Sequence, residues 1–184
     1  MFGIFVATNR LKTQSIYLGL SVLLLSVIAS ILTLGVRAQG LPATVAWAKS
    51  GQTLELLAPL SSDLPVETVR LTGILAPEIG QAPWDQQAKD CLEARVYDQR
   101  VRVVPTETAP DSYGRIWAEV WRGSELINAT LLENGCVLVD ETTLATQSHC
   151  RELVYAQERA RILGLGIWNP QTPLRLHPHE FSPA

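Results

Sequence analysis

The stretch VRLTGILAPE, residues 69–78, contains the strongest local signal for the fold. Its valine, leucines, isoleucine and threonine favour an extended strand, and the proline ends it because a proline cannot donate to a strand ladder. A carboxylate, Glu78, follows the proline directly. Glu78 is therefore either a catalytic base beside a binding site or only the polar end of a strand.

Strand-like runs lie on both sides of this stretch. Two precede it and two follow it: ATVAWA (43–48), QTLELLA (52–58), RVRVVP (100–105) and RIWAEVW (115–121). Helical patterns begin at Pro83, after Ser124 and near His149. Five strands and three helices predict a mainly β, α+β fold, a five-stranded OB-type barrel with three α-helices. The residues after Trp168 predict an extended tail.

The amino terminus carries a different signal. No charged residue lies between Ile16 and Val36, a length that can span a bilayer, so we expect one N-terminal transmembrane or signal helix. Arg10 and Lys12 precede it and only Arg37 follows, which places the remainder on the non-cytoplasmic side. Small residues near Ala38 leave cleavage open, so the domain is either membrane-anchored or secreted to the periplasm or beyond. The predicted segments are 1–38, a domain over 39–169 and a Pro-rich tail over 170–184.

Charge and cysteine content limit the partners. All 18 acidic residues but only 12 of the 15 basic ones lie in residues 39–184, a net charge of −6. This charge disfavours long-range attraction of nucleic acid, although a local basic cleft stays possible. Cys91, Cys136 and Cys150 allow at most one intramolecular disulfide, whose pairing the sequence leaves open, and their spacing matches no zinc pattern.

Five motifs occur in a characteristic order. They are VRLTGILAPE (69–78), PWDQQAKDCLE (83–93), DSYGRIWAEVW (111–121), LINATLLENGCVLV (126–139) and AQERARILGLGIW (156–168). Together, over about residues 43–169, they resemble the staphylococcal nuclease (thermonuclease) family. The resemblance implies an OB-type barrel and calcium-dependent hydrolysis of phosphodiester bonds in DNA and RNA.

The family's catalytic residues have counterparts here. The resemblance places two phosphate-clamping arginines at Arg70 and Arg115 and a water-activating glutamate at Glu78. A planar guanidinium can pair with two phosphate oxygens, and a carboxylate can orient and deprotonate water. Tyr113 is a candidate for stacking on a nucleic-acid base.

The family's calcium positions are substituted. The resemblance places them at Gln52, Leu75 and Ala76, where the family has an aspartate and an aspartate-threonine pair. Calcium prefers several oxygen ligands, mostly anionic, and only the neutral amide of Gln52 remains. Calcium is the cofactor that the family implies. The residues at these positions predict that no metal site is present and that the nuclease site is degraded.

Two functions follow, so whether the chain is an enzyme stays open. One is phosphodiester hydrolysis of nucleic acid outside the cytoplasm. The alternative is a non-catalytic binding or scaffold module, held at a membrane by the N-terminal helix and contacting a protein partner. Under that alternative, Arg70, Glu78 and Arg115 form an ion network that joins strands.

Overall fold

A computed structural model describes residues 40–145 and 147–182. The predicted N-terminal transmembrane or signal helix, residues 1–38, lies outside the described residues. Within them, no helix is both long enough and apolar enough to cross a bilayer. Residues from Gly40 onward form one unit.

The chain forms eight strands and four α-helices in the described ranges. The strands are β1 (Leu41–Ser50), β2 (Thr53–Leu56), β3 (Thr68–Leu71), β4 (Ile74–Leu75), β5 (Arg100–Pro105), β6 (Arg115–Arg122), β7 (Glu125–Leu126) and β8 (Leu138–Val139). The helices are α1 (Trp84–Val96), α2 (Ile127–Glu133), α3 (Glu141–Leu144) and α4 (Cys150–Leu163). Short 3₁₀ turns follow at Gly166–Trp168 and Pro178–Glu180.

Five strands close into a barrel. The order β3-β2-β1-β5-β6 is antiparallel throughout, and a parallel pairing of β3 with β6 closes the sheet on itself. The predicted five-stranded OB-type barrel is therefore confirmed. Closure matters because it removes the unpaired sheet edges.

Alternation along each strand fills the barrel interior. On β3, Val69 and Leu71 are fully buried, whereas Thr68 and Arg70 face outward. Helix α1 packs its buried face, Ala88, Leu92 and Val96, onto the same core. The hairpin turn before β2 lies close beneath this helix: a Cβ on Gly51 would lie 2.5 Å from that of Ala88. This packing fixes the position of the turn that carries Gln52.

The stretch 69–78 is not one continuous strand. Gly73 adopts φ +72, a left-handed conformation that ends β3 and that glycine tolerates best. The next strand, β4, leaves the barrel and pairs with β8 instead. Likewise, the helix predicted after Ser124 begins only at Ile127, because residues 125–126 pair with β6 as β7.

One disulfide joins helix α1 to the segment after α2. Cys91 is bonded to Cys136, and Cys150 keeps a free thiol. The sequence had left this pairing open.

The carboxyl-terminal tail is docked on the domain. Leu174 packs against the buried cluster of Leu75, Leu138 and Ile167, and its N–H donates to the Ile167 carbonyl at 2.9 Å. The side chain of Gln81 donates to the Leu176 carbonyl at 2.6 Å. The tail therefore has fixed contacts, which its lack of periodicity did not predict.

Candidate phosphate-binding site

A cleft of about 570 Å³ opens beside the point where β2, β3 and β6 meet. It contains every residue that the sequence placed in the catalytic, base-stacking and calcium positions except Ala76. Its lining residues are Lys49, Ser50, Gln52, Thr53, Thr68, Arg70, Leu75, Pro77, Glu78, Ile79, Tyr113, Arg115 and His179. Four of these residues have basic side chains and one, Glu78, has an acidic side chain, and two of the basic ones, Lys49 and Arg115, pair with Glu55 and Asp111.

The parallel β3–β6 pairing brings the two arginines to one face. Thr68 lies opposite Arg115, and Arg70 lies opposite Trp117. Because alternate residues of a strand point to the same side, all four side chains face away from the barrel core. Two arginines that are 45 positions apart in sequence therefore line the same cleft.

Arg70 is half-buried and has no carboxylate partner within 4.0 Å among the described residues. Its Nε is buried without a hydrogen-bond partner in the part of the chain that the structure describes. The guanidinium lies over the ring of Trp117, 4.7 Å from its centroid. Burial lowers the pKa of Arg70 and the charge of Arg115 lowers it further, whereas the charges of Asp140, Glu78 and Asp111 oppose this shift. An anion bound in the cleft would also favour the charged form of Arg70.

Arg115, in contrast, is held by Asp111. Its Nη2 lies 2.8 Å and its Nε 2.9 Å from Asp111 Oδ2, a paired contact that fixes the guanidinium plane. The indole N–H of Trp117 donates to the same oxygen at 3.1 Å. Trp117 thus contacts Arg70 with its ring and donates its N–H to Asp111, the carboxylate that holds Arg115.

Asp111 is also the centre of its own turn. Its Oδ1 accepts the backbone N–H groups of Tyr113 and Arg115 at 2.9 and 3.0 Å. Burial alone would raise the pKa of Asp111, but the hydrogen bonds from Arg115, Tyr113 and Trp117 lower it to about 2. Asp111 is therefore an anion at neutral pH and keeps Arg115 in position.

Glu78 stands at the cleft rim with an exposed carboxylate. Its backbone N–H donates to Oε1 of Gln81 at 3.0 Å, which fixes the loop after Pro77. No ion pair within 4.0 Å joins Glu78 to Arg70 or Arg115 in the described residues. In the alternative of an Arg70–Glu78–Arg115 network, the three side chains would therefore interact only at longer range: Arg115 pairs with Asp111, and the charge of Glu78 raises the pKa of Arg70 from beyond 4.0 Å.

The calcium positions do not fit a metal ion. The side-chain carbonyl of buried Gln52 is neutral and accepts the Ala76 N–H at 2.7 Å, which takes one of its two lone pairs. Leu75 is buried in an apolar cluster, and neither Leu75 nor Ala76 has a side-chain oxygen. In the described ranges, no group of three or more His, Cys, Asp or Glu side chains has a metal-binding arrangement. The donor set therefore lacks the anionic oxygens that calcium needs.

Tyr113 lies at the mouth of the cleft and is 80% exposed. The Arg115 guanidinium lies 4.9 Å from the centre of its ring. An exposed ring beside an arginine is suited to stacking on a nucleic-acid base.

Four residues of this site were missed by the sequence reasoning. They are Asp111, Trp117, Gln81 and His179, to which the sequence assigned no role in the site. The sequence did indicate a role for Asp111, because an aspartate at the start of a turn often accepts the backbone N–H of the residue two positions later. The other three depend on contacts between distant segments, which no local pattern shows.

The fold and the cleft define a class: OB-type barrels with two arginines and a glutamate in one cleft. The family model described as staphylococcal nuclease homologue matches residues 68–170, more than half of the chain. The chain therefore belongs to the staphylococcal nuclease homologue family. It is 31% identical over 124 residues to an uncharacterized endonuclease of Haemophilus influenzae, covering 67% of this chain and 64% of that protein.

Two thermonucleases are also similar. The Staphylococcus intermedius thermonuclease is 32% identical over 108 residues, covering 55% of this chain and 63% of that protein. The Staphylococcus hyicus thermonuclease is 26% identical over 108 residues, covering 56% and 63%. The matches span less than two thirds of the length of each relative.

Proposed function

We propose that this protein binds single-stranded nucleic acid through its phosphates and hydrolyses phosphodiester bonds without a calcium ion. The observation that carries the proposal is Arg70, a half-buried guanidinium that has no carboxylate within 4.0 Å among the described residues and whose Nε has no hydrogen-bond partner there, facing a cleft shared with Arg115 and Glu78. A buried cation is costly unless it is paired, and a phosphate is the partner that its planar donors fit. The family membership supports the same substrate class.

The residues divide the chemistry between them. Arg70 and Arg115 contact non-bridging phosphate oxygens and stabilise the negative charge that grows there in the transition state. The Glu78 carboxylate takes a proton from water while the water oxygen bonds to phosphorus. The bond from phosphorus to the leaving ester oxygen then breaks, and that oxygen takes a proton from solvent. The products are a phosphate monoester and an alcohol.

We expect this reaction to be slow. Loss of one preorganised donor from such a site typically costs about 10²- to 10³-fold in rate, and the ligand set for a divalent ion is missing here. The two arginines would supply the electrostatic stabilisation alone.

We also propose that the domain works outside the cytoplasm, tethered by the N-terminal segment or released from it. The Cys91–Cys136 disulfide supports this, since such bonds persist mainly in oxidising compartments.

A second candidate is a non-catalytic module that binds nucleic acid or a protein partner at a membrane. The side chains at 52, 75 and 76 favour it, because a barrel that has lost its calcium donors has also lost most of its catalytic power. Binding without cleavage would be its signature.

The test is to measure binding and cleavage of a fluorescent single-stranded oligothymidylate by the full chain in mild detergent. Arg70→Ala should weaken binding at least tenfold, because it removes a charged pair to phosphate. Arg100→Ala is the matched control, since Arg100 is exposed and lines another cavity. Glu78→Gln should abolish cleavage and leave binding. Equal binding by wild type and Arg70→Ala would refute the proposal, and binding without cleavage by wild type would favour the second candidate.

A further inference from the structure

We propose that the carboxyl-terminal tail completes the cleft and that the imidazole of His179 binds a phosphate oxygen of the substrate together with Arg70. This inference rests on the proposed function. The family model ends at residue 170, so nothing in the match assigns a role to the tail. His179 nevertheless lines the same cleft as Arg70, Glu78 and Arg115.

The tail reaches the cleft through fixed contacts. The Leu174 N–H donates to the Ile167 carbonyl, and the Gln81 side chain donates to the Leu176 carbonyl. Beyond these, Phe181 packs beside Gly80, where a Cβ would lie 3.8 Å from its ring. Anchors on both sides of residues 177–180 hold the intervening turn against the loop that carries Glu78.

The turn itself orients His179. Pro178 is buried, and residues Pro178–Glu180 form one 3₁₀ turn. His177 Nδ1 accepts the backbone N–H of His179 at 3.3 Å, and the two rings meet edge to face, 5.2 Å apart. The tail therefore holds His179 in two ways, through its backbone N–H and through the edge-to-face contact of its ring with His177. The same ring also borders the cleft.

Charge pairing separates the basic groups that line the cleft into two kinds. Lys49 pairs with Glu55 at 3.0 Å, and Arg115 pairs with Asp111 at 2.8 Å. Arg70 and His179 have no carboxylate partner within 4.0 Å in the described part of the chain. These two are therefore the basic groups of the lining whose charge no described carboxylate offsets within that distance.

Gln81 connects this tail to the proposed base. Its Oε1 accepts the Glu78 N–H at 3.0 Å, and its Nε2 donates to the Leu176 carbonyl at 2.6 Å. Gln81 is 6% exposed, and both hydrogen bonds are partly buried. One buried carboxamide thus sets the position of the Glu78 loop and of the tail together.

The experiment compares His179→Ala with Arg175→Ala in the full chain, using the same oligothymidylate. Arg175 is an exposed cation of the same tail that lines a different cavity, so it controls for charge alone. His179→Ala should weaken binding about two- to tenfold, the effect of one net hydrogen bond, and His179→Lys should restore most of it. Arg175→Ala should bind like wild type. The exposed position of His179 predicts an unchanged melting temperature.

A second readout does not depend on activity. The chain has three histidines, so its ring ¹H–¹⁵N signals can be assigned by single substitutions. Oligothymidylate should shift the signals of His179 and leave those of His149, which pairs with Glu119 outside the cleft. Binding that falls with Arg70→Ala but not with His179→Ala, together with unshifted His179 signals, would overturn the role of the tail and keep the proposed function. Binding unaffected by either variant would overturn both.

Discussion

The side-chain carbonyl of Gln52 accepts the backbone N–H of Ala76 at 2.7 Å in the interior of the protein. Both residues stand at positions where the family resemblance places calcium ligands. A hydrogen bond within the chain therefore joins two segments that a shared cation would otherwise connect. A second carboxamide, that of Gln81, holds the next part of the same loop through Glu78 N–H.

Replacing Gln52 tests whether this bond positions the loop. Gln52→Ala would leave the buried Ala76 N–H without an acceptor, so we expect a loss of about 1–3 kcal/mol in the free energy of unfolding. Urea unfolding measures it, with exposed Gln99→Ala as the control. Equal stability of the two variants would show that the bond does not hold the loop.

Asp111 makes the site sensitive to acid. Its folded-state pKa of about 2 lies below its ordinary value of 3.8, so its stabilising contribution is complete above about pH 4 and is lost as the pH falls through 2. We expect Asp111→Asn to lower the free energy of unfolding by on the order of 1 kcal/mol at neutral pH. The free energy of unfolding of the variant should also fall less steeply as the pH is lowered.

The readout for Asp111 is the free energy of unfolding measured from pH 7 to pH 2 for wild type and Asp111→Asn. The two curves should converge at the acid end. Parallel curves over the whole range would mean that Asp111 has an ordinary pKa. Oligothymidylate binding should also weaken in the variant, because Arg115 loses the carboxylate that fixes its plane.

The disulfide should contribute substantially to stability. Cys91 and Cys136 are 45 residues apart, and closing a loop of that size typically stabilises a domain by about 2–4 kcal/mol. The double variant Cys91→Ala/Cys136→Ala should lose that much in urea unfolding. Cys150→Ala, which removes only the free thiol, should change little, and a similar loss in both variants would count against the prediction.

The sequence was sufficient to predict the barrel and to predict that the residues at the calcium positions lack metal ligands. The alternation of buried Val69 and Leu71 with outward-facing Arg70 identifies a half-buried strand. Five such runs, interrupted by one helix, are compatible with few architectures. Leu75 and Ala76 indicated the loss of metal ligands because a side chain without oxygen cannot coordinate calcium through it. These conclusions need only residue type and spacing.

The contacts that the site residues make could not be predicted from the sequence. Asp111 and Glu78 are both carboxylates that could pair with Arg115, and the structure shows that the partner is Asp111, four residues before it in the same turn. The docking of the tail depends on isolated residues such as Leu174 and Phe181, which produce no periodic pattern. His179 therefore could not be connected to Arg70, which lies 109 positions earlier in the chain.

Cleavage of single-stranded DNA with and without calcium tests the central claim most directly. The rate measured for the full chain in calcium should equal the rate in a chelator, and Glu78→Gln should abolish it in both. Cleavage that occurs only when calcium is added would contradict the account, because it would require a metal site that Gln52, Leu75 and Ala76 cannot form.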